Sequence, residues 1–356
     1  MSGCEILQLD DRKEKILELI IDRYIKYGQP VGSKTISELM QNSISPATIR
    51  NEMSILYDIG FLEQPHKSAG RIPSQLGYRF YLDKLMQKKT LCGTSLNELD
   101  LWMNIKDPDY NNLIENTGKI LSQITACMSI LSSMVFELLT ITKIEILKVS
   151  NHTIAIVVLT SSGIVKSKIC KLNFDLNNDT INLIKNYVNK YFSGKSIECI
   201  SKNYITYLVS DLDIYTALII PILYIIYDIC NSLHQFSFFI NGQVNLLNYK
   251  VLEDNIADII KILSNKDEVN FIIDEYKSKK NKQHLINTDV ILGRELKKPE
   301  LSNISLIISG YNIGTIGKGN IIIVGPNRLD YSSVIPWVEY FSKSLSLILS
   351  ELLDIK

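Results

Sequence analysis

Apolar residues recur at helical spacing from the start of the chain, with Ile16, Leu17, Ile20, Ile21 and Tyr24 on one stripe. Asp11, followed three residues on by Glu14, has capping-box spacing, with Asp in place of the usual Ser or Thr. The stripe stops near Tyr27, where Gly28 supplies a C-terminal stop and Pro30 blocks continuation. Ser33 predicts the N-cap of a short second helix through Met40, and residues 41–44 form a polar turn. Ser45 followed by Pro46 is a strong start signal, because Ser caps while Pro at the first helical position gives up no needed N–H. The third helix is predicted over residues 46–59, closed by Gly60, with Ile49, Met53 and Leu56 on its apolar side. Residues 61–65 and 71–73 read as two short edge strands around a polar turn at 66–70, and a further helix is predicted over 74–89. Three helices plus a hairpin is the winged helix-turn-helix plan.

The polar side of the third helix carries Ala47, Asn51 and Ser54, flanked by Thr48 and Arg50. Small or hydrogen-bonding side chains can lie close to base edges in a major groove, where bulky apolar ones cannot. Ser45, Thr48, Arg50 and Asn51 are therefore the candidates for base edges and adjacent phosphates. Lys67 and Arg71, placed at the hairpin tip, and Arg79 beyond it are the candidates for phosphate contacts, with Ser68 adding a neutral one. A structural reading stands beside this one. Arg50 could pair with Glu52 or Asp58, and Lys67 and Arg71 could simply solvate a loop.

Further along, residues 97–112 are polar and read as a linker, and 113–139 have the spacing of one or two helices. The β-branched runs at 141–149, 153–160 and 164–171 predict strands, with a turn at 161–163, and 179–192 predicts a helix. Residues 214–230, 252–263 and 269–276 read as mainly helical, 304–309 and 320–324 as strands, and 333–353 as a terminal amphipathic helix. Strands that cluster rather than alternate with helices give an α+β pattern.

A chain of 356 residues implies two or three domains. The 38 basic and 38 acidic residues cancel, so affinity for nucleic acid has to come from a local surface. The cysteines (Cys4, Cys92, Cys127, Cys170, Cys199, Cys230) contain no C-x-x-C pair and read as isolated thiols of a reducing cytosol. The N-terminus lacks a signal-peptide pattern, which predicts a cytoplasmic protein. The run at 214–230 contains Pro221 and Asp228 and predicts buried core rather than a membrane span. Residues 314–319 suggest a phosphate loop, but Gly319 stands where Ser or Thr is needed and Asn312 where the first Gly belongs, so a hairpin turn is expected. His66, His152, His234 and His284 have no ligand spacing, and no catalytic arrangement is evident. No metal, cofactor or enzymatic activity is therefore expected.

The string SPATIRNEM at 45–53, PHKSAGRIP at 65–73 and GYRFY at 77–81 resemble the HrcA heat-inducible transcription repressors. So do FINGQVNLL at 239–247, ILGRE at 291–295 and GPNRLDY at 325–331, with Leu292 replacing a smaller or branched residue and Leu329 replacing Met. The resemblance implies an α+β multidomain protein: a winged-helix domain (1–90), a linker (91–112), a GAF-like α+β domain (113–205 and 286–356) and an inserted, mainly helical dimerisation domain (206–285). It further implies a homodimer on an inverted-repeat operator upstream of chaperone genes, supported by the GroE-type chaperonin and inactivated by heat. The alternative is a winged-helix regulator that senses a small molecule through its GAF-like domain.

Overall fold

Asp10, rather than Asp11, opens the first helix. Its side chain accepts the Lys13 N–H at 2.8 Å, and α1 (Asp11–Tyr27) runs on to Gly28, whose φ of 67° lets it donate to the Tyr24 carbonyl. Ser33 is the first residue of α2 (Ser33–Leu39) and not its cap, a place taken by Gly32 with no side-chain bond. The following turn puts Gln41 and Asn42 at φ of 54° and 57°, and buried Ser37 holds it by donating to the Ile44 carbonyl at 2.8 Å. The third helix, α3 (Pro46–Asp58), lies where the sequence places it. Strands β1 (Leu62–Glu63) and β2 (Ile72–Pro73) pair antiparallel, and Val31 adds a bridge to Arg71. Ser74 caps α4 (Gln75–Phe80) by accepting the Gly77 N–H at 3.0 Å. This helix is shorter than expected, because it widens into a π turn at Tyr81–Leu85 and Met86 is extended.

The structure is a computed structural model that describes residues 9–91, 110–132, 135–136, 139–161, 163–175, 177–210, 216–233, 238–279, 288–313 and 317–352. The expected linker falls mostly outside these residues. Helix α5 (Tyr110–Thr125) ends early, and the chain turns through Ala126 into β3 (Met128–Ser132), every residue of which is buried. The β3 sequence, MSILS, has no strict alternation of apolar and polar positions, so periodicity alone does not separate it from a buried helix, which is why the sequence suggests helix there. There follow β4 (Val135–Phe136), β5 (Ile141–Ser150), β6 (Thr153–Thr160), β7 (Val165–Lys171), α6 (Asn178–Phe192), α7 (Lys202–Ser210), α8 (Thr216–Leu233) and β8 (Phe238–Asn241). The chain closes with α9 (Ile256–Ser264), α10 (Lys266–Lys279), β9 (Asp289–Leu292), β10 (Ile304–Ile313), β11 (Gly317–Pro326) and α11 (Tyr331–Leu352).

Two compact units result. The first takes Met1–Leu131, Phe239–Gly310 and Asn320–Leu345, so it contains the winged helix. Its sheet has the order β8-β3-β11-β10-β9. Helix α5 is held to β3 by the Ser129 hydroxyl donating to the Gly118 carbonyl at 2.7 Å, and α11 is held to β10 by Ser342 donating to Gly310 at 2.6 Å.

The second unit takes Ser132–Phe238, Tyr311–Gly319 and Ser346–Lys356. Its antiparallel sheet β5-β6-β7 turns Ile144, Ile146, Ile154, Ile156 and Val158 inward, and α6 and α8 pack against this unit's strands. The free edge of β5 is closed by Asn189, which accepts from the Ile144 N–H at 2.9 Å and donates to its carbonyl at 2.7 Å. Gly319 has its own explanation here, since a Cβ would fall 2.1 Å from the Tyr311 ring, while residues 314–316 of the expected turn lie outside the described residues.

This division differs from the expected one. The stretch 206–285 does not hold together: α7 and α8 belong with the β5-β6-β7 sheet, whereas α9 and α10 belong to the first unit. The strands at 141–171 bury one face only if neighbouring helices cover it, and those helices come from both sides of the expected boundary. Among the described residues no helix is long and apolar enough to cross a membrane.

Candidate nucleic-acid interface

The recognition surface is built from the cap outward. Ser45, at φ −64° and ψ 146°, accepts the Thr48 N–H at 3.2 Å, and its Oγ lies 2.9 Å from Thr48 Oγ1. Ser45 and half-buried Thr48 thus serve first to start the helix, an arrangement worth about 0.5–2 kcal/mol. Ile49, Met53 and Leu56 are buried, which fixes the rotation of α3 and leaves Ala47, Arg50, Asn51 and Ser54 exposed together. Glu52 cannot neutralise Arg50, because it turns to α1, 3.3 Å from Lys13 and 3.6 Å from Arg12. Among the described residues Arg50 has no ion pair and Asn51 no side-chain hydrogen bond, so both present free donors to solvent.

Lys67 and Ser68 are exposed at the tip of the wing. The turn is stapled from inside by Gln64, whose Nε2 donates to the carbonyls of Lys67 at 3.0 Å and Ala69 at 3.1 Å. Arg71 is not at the tip. It sits at the base, exchanging two 2.8 Å backbone hydrogen bonds with Val31, with its guanidinium carbon 4.8 Å from the centre of the Tyr57 ring. Its Nε is buried without a partner. Tyr57 therefore ties the wing to α3. Sequence reading missed Ser37, Gln64 and Tyr57, since each acts on a backbone group or a residue that only the folded turn brings near.

Arg79 departs from expectation. Its guanidinium grips Glu295 with contacts of 2.6–3.0 Å and also donates to the Val290 carbonyl at 2.8 Å. Burial works against its charge, but the Glu295 carboxylate more than offsets this and leaves the guanidinium pKa above its ordinary value. An arginine so engaged is not available for phosphate. Its partner lies 216 residues away in sequence, beyond the reach of any local pattern.

Among the described residues no cluster of His, Cys, Asp or Glu is arranged to hold a metal. Burial pushes the Cys127 thiol up to about 11 and the Cys230 thiol to about 12, so neither is a nucleophile at neutral pH. Cys170 and Cys199 are unpaired as well, while Cys4, Cys92, His234 and His284 lie outside the described residues.

A capped helix with a short polar face, set in a helix-turn-helix and followed by a two-stranded wing, defines a DNA-binding regulator of the winged-helix class. The chain belongs to the HrcA family of heat-inducible transcription repressors. Residues 8–83 match the family described as the winged helix-turn-helix transcription repressor, HrcA DNA-binding, and residues 111–335 match the HrcA protein C terminal domain. The chain is 32% identical over 350 residues to the heat-inducible transcription repressor HrcA of Clostridium botulinum (strain Eklund 17B / Type B), covering 97% of this chain and 99% of that one. It is 30% identical over 339 residues to the protein of the same description from Acetivibrio thermocellus, covering 95% of each. The fold is also that of a hypothetical protein of known crystal structure, with a TM-score of 0.65, 22% identity and coverage of 97% of this chain and all of the other.

Proposed function

We propose that this protein is a heat-inducible transcription repressor that binds an inverted-repeat operator as a homodimer. The observation that carries the DNA-binding reading is the exposed polar face of α3. Its arginine is released because Glu52 is claimed by α1. Arg50 and Asn51 enter the major groove, and Lys67, Ser68 and Arg71 meet the phosphates beside it. Ser45 and Thr48 contribute by placing the helix start. Occupying the operator excludes polymerase.

The homodimer reading rests on the second unit. The face of the β5-β6-β7 sheet opposite α6 and α8 carries Leu147, Ala155 and Ile169 in one cross-strand row and Leu159 with Val165 in another. Leu147, Val165 and Ile169 are 53%, 57% and 71% exposed. The same face carries Lys143 in the row of Leu159 and Val165, and Glu145 with Val157 and Ser167 between the two rows, and a mixed apolar and charged face of this kind suits a second copy of the chain. The proposed interface is thus a sheet face and not the helical stretch at 206–285. By family resemblance, the active fold is supported by a GroE-type chaperonin in the cytoplasm and is lost on heating. Selection of bound duplexes from random DNA is expected to return an inverted repeat. Recovery of no enriched sequence would overturn the reading.

A further inference from the structure

Three of the sequence strings quoted above contribute nothing to the polar face of α3. GYRFY at 77–81, ILGRE at 291–295 and GPNRLDY at 325–331 meet along one seam between the winged helix and the sheet of the first unit. Arg79 from α4 takes Glu295. Tyr78 meets Tyr331 edge-on, with ring centroids 6.4 Å apart. Arg294 reaches Glu63 of β1 at 3.0 Å. Arg328 lies against the end of α1, where a Cβ on Gly28 would fall 3.4 Å from its guanidinium carbon. Asp330 takes Lys89 at 2.8 Å.

These contacts are not equal. The Arg294 and Lys89 pairs are largely exposed and hold little against solvent. The Arg79 pair is half-buried, uses both carboxylate oxygens and is fixed from both sides. Glu295 Oε2 also accepts the Leu292 N–H at 3.0 Å, and Arg79 also donates to Val290. The result is a planar two-point clamp between groups with no freedom to swing.

We propose that Arg79 and Glu295 are positioning residues that lock the winged helix to the sheet of the first unit in one orientation, and so narrow the range of half-site separations the dimer accepts. This rests on the dimeric repressor reading above. A DNA-binding domain on a loose tether reaches half-sites over a wide range of separations, whereas one clamped to its own unit reaches a narrower range. The clamp touches no DNA, so it acts on spacing and leaves the reading of a single half-site alone.

The test uses the full-length chain, its selected operator, duplexes in which the half-sites are moved together or apart by a few base pairs, and a single half-site. Arg79→Glu and Glu295→Arg are each expected to lose roughly tenfold or more of the discrimination between correct and shifted spacing. Half-site affinity should stay within about twofold. The double exchange, which restores the ion pair but neither the Val290 nor the Leu292 backbone bond, should recover part of the discrimination lost in the single variants. Glu295→Gln, which keeps the shape and an acceptor, is the variant to use if charge reversal unfolds the chain, and should fall between.

Backbone amide relaxation without DNA reads the clamp directly. The winged helix should tumble with the sheet unit in the wild type and the double exchange, and faster in the single variants. Folded single variants that keep wild-type spacing discrimination, a parallel fall in half-site affinity, or a double exchange without rescue would each overturn the proposal. A wild-type protein indifferent to spacing would overturn the specificity claim. Relaxation that still showed the clamp would then place the fault in the dimer reading.

Discussion

Asn51 and Arg71 occupy different parts of the recognition surface, and substitutions there should separate by signature. Asn51→Ala is expected to cost ~1–3 kcal/mol at one base pair of the operator and little at the others, which a panel of single-base operator variants measures. A uniform loss across the panel would reject base readout at that position. Arg71→Ala should weaken binding to all duplexes and lower the slope of log affinity against log salt by about one unit, and an unchanged slope would remove its phosphate role. A third prediction concerns acid. Asp22 stays exposed overall and accepts a hydrogen bond from Tyr81 at 2.8 Å, but partial desolvation of its carboxyl dominates and raises its pKa above the usual 3.8. A carboxyl whose folded pKa exceeds its unfolded one binds protons more readily when folded, so it costs stability above the folded value and the cost vanishes as pH falls to the unfolded value. Asp22→Asn should therefore raise Tm at pH 7, with the advantage shrinking to nothing near pH 3.8. A gain that persisted at low pH would show a packing effect instead. Of these residues Asn51 was legible, because its place follows from the buried stripe of α3. Asp22 was not, since its partner Tyr81 sits on a π turn 59 residues on that no local pattern announces.

The elements read well wherever their signals are local. Gly28, Ser45 with Pro46, and Gly60 each act within a few residues of their own position, so the bounds of α1 and α3 could be set from the chain alone. The wing was legible as a hairpin, but its tolerance of substitution was not. Gly70 has no space for a side chain, as a Cβ would lie 2.4 Å from the Val31 carbonyl oxygen. Gly70→Ala is expected to force the wing from α2's entry strand at a cost of about 1–3 kcal/mol, read as a lower Tm together with weaker operator binding. A Tm unchanged from wild type would mean that the wing yields freely. The elements misread from sequence share one physical origin. Strand β3 is buried on both faces, Ser129 and Ser132 included, and carries no strict alternation, and the helices at 202–233 and 256–279 look alike in pattern while packing in different units. Burial by a distant partner leaves no period in the chain.

At the scale of the whole molecule, balanced charge means that overall attraction to nucleic acid is weak and that geometry has to supply discrimination. Arg79 illustrates how far this reaches, because a cation that reads locally as a phosphate ligand is spent on a clamp. The proposed dimer is open to a direct test. Ile169→Asp, at a position 71% exposed, should leave folding nearly intact while sedimentation shows a monomer, and operator affinity should fall on the order of 10²-fold. A variant that stayed dimeric would move the interface elsewhere.

The bare face of the β5-β6-β7 sheet also bears on how a promoter would respond to dose. If the operator recognises only paired chains, the population of competent repressor at low abundance varies with the square of the folded chain, and halving that chain leaves about a quarter of the pairs. A modest shift in how much protein survives warming would then open transcription steeply, without requiring a dedicated thermometer.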